Sequence, residues 1–168
     1  EQIRPIDNNR TGFVMGQGAG TLILEEEQHA VNRGAKILCR ISGFARLTDT
    51  THMTGLDTSG KTIAQALLKS LGNDRKADWI SAHGTGTRMN DRAENNAFIK
   101  VFEDNLKHIP VNSLKQYIGH LLGASSTVET IYAIDCMNKN FVRGNIDLIS
   151  PEYDLNLPRK TLYKEINT

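Results

Sequence analysis

The sequence predicts a layered α/β domain with crossover connections. Runs of strand-forming residues alternate with helical patterns, in the order strand, helix, strand, helix, strand, helix. The 168 residues suffice for one domain with a core of its own, or for part of a larger one. The formal charge is +1, from 20 basic and 19 acidic residues with no long basic run, so neither nucleic acid nor a membrane is an expected partner.

In chain order, "GTLILEEE" at 20–27 is an apolar run of strand formers, and "HAVNRGAK" reads as a short helix ending at Gly34. "ILCRISGFA" at 37–45 alternates as a strand does. Residues 60–72 form an amphipathic helix, with Ile63, Ala66, Leu67 and Leu71 on one face and Gly72 closing it. "ADWISAHG" at 77–84 is a short strand that runs into a loop carrying His83. A second helix spans 91–104 and turns Ala97, Phe98 and Val101 inward; "IPVNSL" follows as a strand. The longest helix spans 119–140 and is apolar on most of its surface, so it is expected to be buried. The tail from "PEYDLNLPRKT" reads as irregular.

No apolar run approaches the roughly 18 residues a membrane span requires. Cys39 and Cys136 have neither metal-ligand spacing nor a disulfide framework, and read as free thiols of a cytoplasmic protein. The chain opens "EQIRPIDNNR", as if in mid-protein, which gives the expectation of a fragment.

"MGQGAG" at 15–20 invites a nucleotide-binding reading, but its glycines fall at 16, 18 and 20 and strand-like residues follow. A dinucleotide fingerprint needs a helix there, and a Walker loop needs Gly-Lys-Ser/Thr. Close backbone packing or a tight bend is the preferred account.

"SAHGTGTRMNDRAE" at 81–94 places His83 among residues of almost no bulk. Asp91 and Glu94, three apart before a helical pattern, form a capping box on local grounds. The bare loop gives a substrate access to the imidazole, with the Thr85 and Thr87 hydroxyls beside it. A second histidine, His120, follows Gly119 in the first turn of the longest helix, where the positive helix end disfavours imidazolium. Gly123, Ala124, Ser125 and Ser126 are small enough there for another backbone to approach. Lys115 lies five residues before His120, at the end of a strand, and needs a carboxylate if buried; Glu94 is the candidate. Two strand-to-helix loops would bring both histidines to the carboxyl edge of the sheet, where a pair of neutral imidazoles can stabilise an enolate. His29 and His108 read as surface residues; His52 has no assigned role.

These segments resemble the β-ketoacyl-[acyl-carrier-protein] synthases, decarboxylating condensing enzymes of thiolase-like fold. "RPIDNNRTGFVMGQGAGTLILEE" is similar to the family's R-P-F-D…R-x-G-F-V-x-G-E-G-A-G-x-L-x-L-E-E. "HGTGTRMNDRAE" resembles H-G-T-x-T-x-x-N-D-x-x-E, and "VNSLKQYIGHLLGAS" resembles S-x-K-x-x-x-G-H-x-x-G-A-(A/S). The spacing of 37 residues from His83 to His120 also fits.

The resemblance implies that residues 1–35 end an amino-terminal half and that 36–168 are the carboxy-terminal half without its last glycine-rich segment. It implies that His83 and His120 hydrogen-bond a malonyl thioester oxygen, that a Lys115–Glu94 pair supports His83, and that Thr85 and Thr87 contact phosphopantetheine. That arm arrives on an acyl carrier protein, so no cofactor of the protein's own is implied. A homodimer or ketosynthase heterodimer is expected. Gln17 stands where the family usually has Glu. Neither cysteine has the context of the family's nucleophile, so these residues alone are expected to make no acyl-enzyme. A non-catalytic partner subunit of the chain-length-factor type is the alternative reading, and a hydrolase built on His83 and Asp91 is a distant third.

Overall fold

The computed structural model describes residues 2–53, 55–74 and 76–166. Its elements are α1 (Glu27–Asn32), α2 (Lys61–Leu71), β1 (Ile80–Ser81), α3 (Arg88–Phe102), β2 (Val111–Asn112), α4 (Lys115–Ile118), α5 (Ser125–Asn138), β3 (Phe141–Val142) and β4 (Leu162–Tyr163). Single stretches of 3-10 helix at Glu103–His108 and Leu122–Ala124 lead into β2 and α5.

The core is a βαβ unit. β1 and β2 pair in parallel, Ile80 opposite Val111 and Ser81 opposite Asn112, with α3 as the crossover. Ala93, Ala97 and Val101 recur every four residues on α3 and are buried with Phe98 and Phe102. The expected inward face of 97, 98 and 101 is therefore observed. The α2 helix packs on it through Ile63, Leu67, Leu68 and Leu71, with Ala64 buried between. The small alanines of α3 allow close approach: a Cβ on Gly60, where α2 begins, would lie 2.3 Å from the Ala93 carbonyl.

Both ends of the chain close this core. Asp7 is fully buried and accepts the Asn9, Ile149 and Ser150 amides, while Ile6 and Glu152 share a backbone hydrogen bond of 2.9 Å. Burial alone would raise the Asp7 pKa, but these donors outweigh it and hold the carboxyl below its ordinary range. The tail is less irregular than expected. β4 pairs antiparallel with β3, and the Val111 amide donates to the Asn156 carbonyl at 2.8 Å.

Three expectations are corrected. The runs at 20–27 and 37–45 join no ladder, because among the described residues no strand lies alongside them; Ile23 and Phe44 stay 86% and 84% exposed. The longest helix is divided into a 3-10 stretch and α5, and only Ser125 and Cys136 of α5 are buried; few described elements pack against its apolar sides. Gly123 has open space around it and marks no close backbone approach.

The glycines of "MGQGAG" pack closely. Gly16, Gly18 and Gly20 present one face of an extended segment to the stretch from Ile118 through α5. A Cβ on Gly16 would lie 2.2 Å from the Ile118 carbonyl oxygen, and one on Gly20 3.0 Å from Thr127 Cγ2. Because the obstacle at Gly16 is backbone, Gly16→Ala is expected to destabilise by about 1–3 kcal/mol or more. Denaturant unfolding of the parent protein and the variant measures it.

Candidate active site

His83 leaves the carboxyl end of β1, and His120 lies beyond α4, after β2, so the crossover sets the two loops side by side. Their ring centroids are 5.5 Å apart and edge to face. His120 is not in a helical first turn, as expected, but in a parallel bridge with Met15. Its amide donates to the Val14 carbonyl at 2.8 Å and its carbonyl accepts from the Gly16 amide at 3.0 Å. Gly119, at φ +77°, makes the bend; a Cβ there would stand 2.8 Å from Gly16 N. Phe13 covers one side of the ring, centroids 5.1 Å apart.

Hydrogen bonds assign the proton on each imidazole. The Leu122 amide donates to His120 Nδ1 at 3.0 Å, which makes Nδ1 an acceptor and leaves the proton on Nε2. Leu122 adopts φ +51° to present that amide. The Lys115 ammonium, with no lone pair, approaches His83 Nδ1 at 3.3 Å, so His83 also carries its proton on Nε2. Crowding by protein, then the Lys115 charge and His120, lower the His83 pKa from 6.5 to about 4. His120 is lowered for the same first reason, then by Lys115, against an opposing pull from Glu129. Neutrality was expected, but the helix end is not its cause.

The unfolded chain protonates His83 below about 6.5, whereas the folded chain resists until about 4. The contribution of this residue to stability is therefore complete above that window and falls as the pH drops through it. Comparing melting temperatures of the parent and His83→Gln between these limits should show the parent more acid-sensitive.

Lys115 is fully buried, and its three donors meet the His83 carbonyl at 2.7 Å, His83 Nδ1 and Glu129 Oε1 at 2.5 Å. The expected Lys115–Glu94 pair is thus incorrect. Both oxygens of Glu94 are taken by consecutive amides, His83 and Gly84, each at 2.7 Å, and Asn90 adds a third donor at 2.8 Å. Glu94 holds the loop from below, and burial raises its pKa despite those donors. Glu129 had one sequence signal: it is a lone carboxylate among Thr, Val, Ile and Tyr, four residues past Ser125 on the same helical face.

The capping box is also overturned. The helix starts one turn earlier, at Arg88, with Thr87 preceding it, so Asp91 lies inside. Asp91 accepts the Ile6 amide at 2.8 Å and the Gly86 amide at 3.2 Å, with the buried Arg10 guanidinium 3.5 Å away. Burial raises its pKa against these contacts. It ties the histidine loop to an N-terminal segment in which Ile6 sits at φ +65°. Arg10 also pairs with Glu152. Thr85 and Thr87 share a hydroxyl hydrogen bond of 2.8 Å; Thr85 is buried and Thr87 only partly so.

Gly84 must be bare: its φ is +43°, and a Cβ would meet Ser113 Cβ at 2.5 Å. Cys136 is buried beside Tyr132, and burial pushes its thiol up. Cys39 is only partly exposed and lies in no strand, contrary to expectation. His29 pairs with Glu25 on the surface, and His108 is exposed.

A parallel strand pair with a helical crossover brings two histidine loops together at its carboxyl edge, and the likeness to solved ketosynthases assigns this fold to the thiolase-like class. The chain belongs to the β-ketoacyl synthase family: residues 38–148 match the family described as "Beta-ketoacyl synthase, C-terminal domain". It is 37% identical over 158 residues to the tetracenomycin polyketide synthase ketoacyl synthase alpha subunit of Streptomyces glaucescens, covering 90% of this chain and 37% of that one. A type II polyketide ketosynthase, solved with its acyl-carrier protein, superposes with a TM-score of 0.92 at 33% identity, over 98% of this chain and 42% of that one. The ishigamide ketosynthase/chain length factor gives a TM-score of 0.87 at 30% identity, over 99% and 42%. The chain thus spans about two fifths of the length of these relatives, 37 to 42%. Among the described residues no helix is long and apolar enough to cross a membrane.

Proposed function

We propose that this chain acts as the carboxy-terminal part of a β-ketoacyl synthase and supplies the oxyanion donors for decarboxylative condensation of carrier-bound thioesters. The observation that carries the reading is the pair of neutral imidazoles, each with Nδ1 held as an acceptor and an Nε2–H left to donate. Two such donors suit a malonyl thioester oxygen. When the bond to the malonyl carboxylate breaks, carbon dioxide leaves and the electron pair moves onto that oxygen as a thioenolate. The thioenolate carbon then attacks the acyl thioester, and the nucleophile's thiolate departs. Lys115 positions His83 and keeps it neutral, Glu94 shapes the loop, and Thr85 and Thr87 lie where a phosphopantetheine arm would enter. That arm comes with the carrier substrate, and no cofactor of the protein's own takes part.

The nucleophile is assigned to the family's amino-terminal half, of which residues 1–35 form the end; the family match beginning at residue 38 supports the division of the chain. These 168 residues alone are expected to make no acyl-enzyme, and the burial and raised pKa of Cys136 support this for that thiol. The carrier-bound relative supports a carrier protein as partner, and the exposed apolar surface of Ile23, Ile41 and Phe44 supports a protein that works with further chain packed on it, as part of a homodimer or a ketosynthase heterodimer. Its expected location is the cytoplasm.

Intact mass of the complete protein, before and after an acyl-carrier thioester, tests the reading. A gain of one acyl group, followed by carbon dioxide release from malonyl carrier, is expected. A complete protein that gains no acyl group overturns this reading in favour of the non-catalytic partner.

A further inference from the structure

Resting on that reading, we infer that Ser125 is a positioning residue for His120, donating its buried hydroxyl to Nδ1. Ser125 opens α5 and is 1% exposed. Its Oγ accepts the Leu121 amide at 2.9 Å and stands 3.3 Å from His120 Nδ1. The direction of the second contact follows from the first site's chemistry. The Leu122 amide already makes Nδ1 an acceptor, so the hydroxyl must be the donor.

The Ser125 hydroxyl and the Leu122 amide thus converge on one ring nitrogen, and the Leu121 amide fixes the hydroxyl by donating to its oxygen. The two donors to Nδ1 hold the proton on Nε2. An alanine here would keep the helix but leave Nδ1 with one donor and the Leu121 amide without its acceptor. A hydrogen bond to the neutral form favours that form, so the hydroxyl lowers the proton affinity of the ring. The other groups facing the ring are Lys115 from α4, Glu129 from α5 and His83 from the loop after β1, with Phe13 as an uncharged neighbour. Lys115 and Glu129 act with opposite sign, so a single hydroxyl has a readable effect.

The test uses the complete synthase with its histidine rings isotopically labelled, read by NMR, together with the pH profile of malonyl-carrier decarboxylation. In Ser125→Ala the His120 pKa should rise by about half to one unit, and the acid limb of the profile should move up with it. KM for malonyl carrier should stay, while kcat falls on the acid side. An unchanged ring pKa and acid limb would overturn the assignment. If Ser125→Ala does not fold, Thr and Cys replacements carry the test. Thr keeps the hydroxyl and should keep the parent pKa; Cys, a weak donor, should raise it, and the opposite order sinks the proposal. A parent protein that decarboxylates nothing would overturn the catalytic reading, whereas the ring titration would still decide the role of Ser125.

Discussion

His120→Ala should reduce malonyl decarboxylation by about 10²–10³-fold, the usual effect of losing one oxyanion donor. His83→Ala should cost a similar factor, and the double variant less than the product, because the two donors share one oxygen. The structure narrows the expectation further. Each Nδ1 is occupied by a donor, so the proposed mechanism leaves Nε2–H as the donor of each ring. Replacement by Asn or Gln, which keep an N–H donor, should therefore retain more activity than Ala. Rates of carbon dioxide release from malonyl carrier measure this without any need for an acyl primer. Equal loss in the amide and alanine variants would mean that hydrogen-bond donation is not what these rings supply.

Lys115→Met is expected to act on stability and chemistry together. It leaves the Glu129 carboxylate, whose side chain is 13% exposed, without its cation, and breaking a largely buried pair typically costs about 3–5 kcal/mol. It also removes the donor to His83 Nδ1 and the charge that helps to keep His83 neutral. The His83 pKa should rise and the acid limb of decarboxylation should shift upward. Lys115→Met with Glu129→Leu should recover much of the lost stability, because the uncompensated charge is gone, but none of the tautomer control. Chemical denaturation and pH profiles of the two variants separate these effects. Recovery of activity along with stability would show that Lys115 is structural only.

The βαβ core was legible because its information is periodic. Apolar positions recurring every three or four residues marked α2 and α3, and those residues, Ala66 apart, pack in the core. The same logic misjudged α5 and the runs at 20–27 and 37–45. An apolar surface declares that it wants a partner, but not that the partner lies in this chain. Local pattern also misled at Asp91 and Glu94. D-x-x-E before a helix satisfies the rules of a capping box, yet the helix begins a turn earlier and both carboxylates serve amides outside it.

By itself, the sequence determined which chemical groups are available and on which kind of element each rides. His83 was identified as a loop residue beside glycine, His120 as a neutral donor after Gly119 though in a helical turn it does not occupy, Lys115 as a cation that must be paired if buried, and "MGQGAG" as a close-packed or tightly bent backbone. Only the tertiary structure decided who meets whom. Lys115 finds Glu129, 14 residues on, and Asp91 holds an amide 85 residues away. The physical reason is that periodicity and capping act within a turn or two of chain, and propensity can be read there. Ion pairs, tautomers and orphan amides are settled where segments cross, and a buried group takes whichever partner the packing brings within about 3 Å.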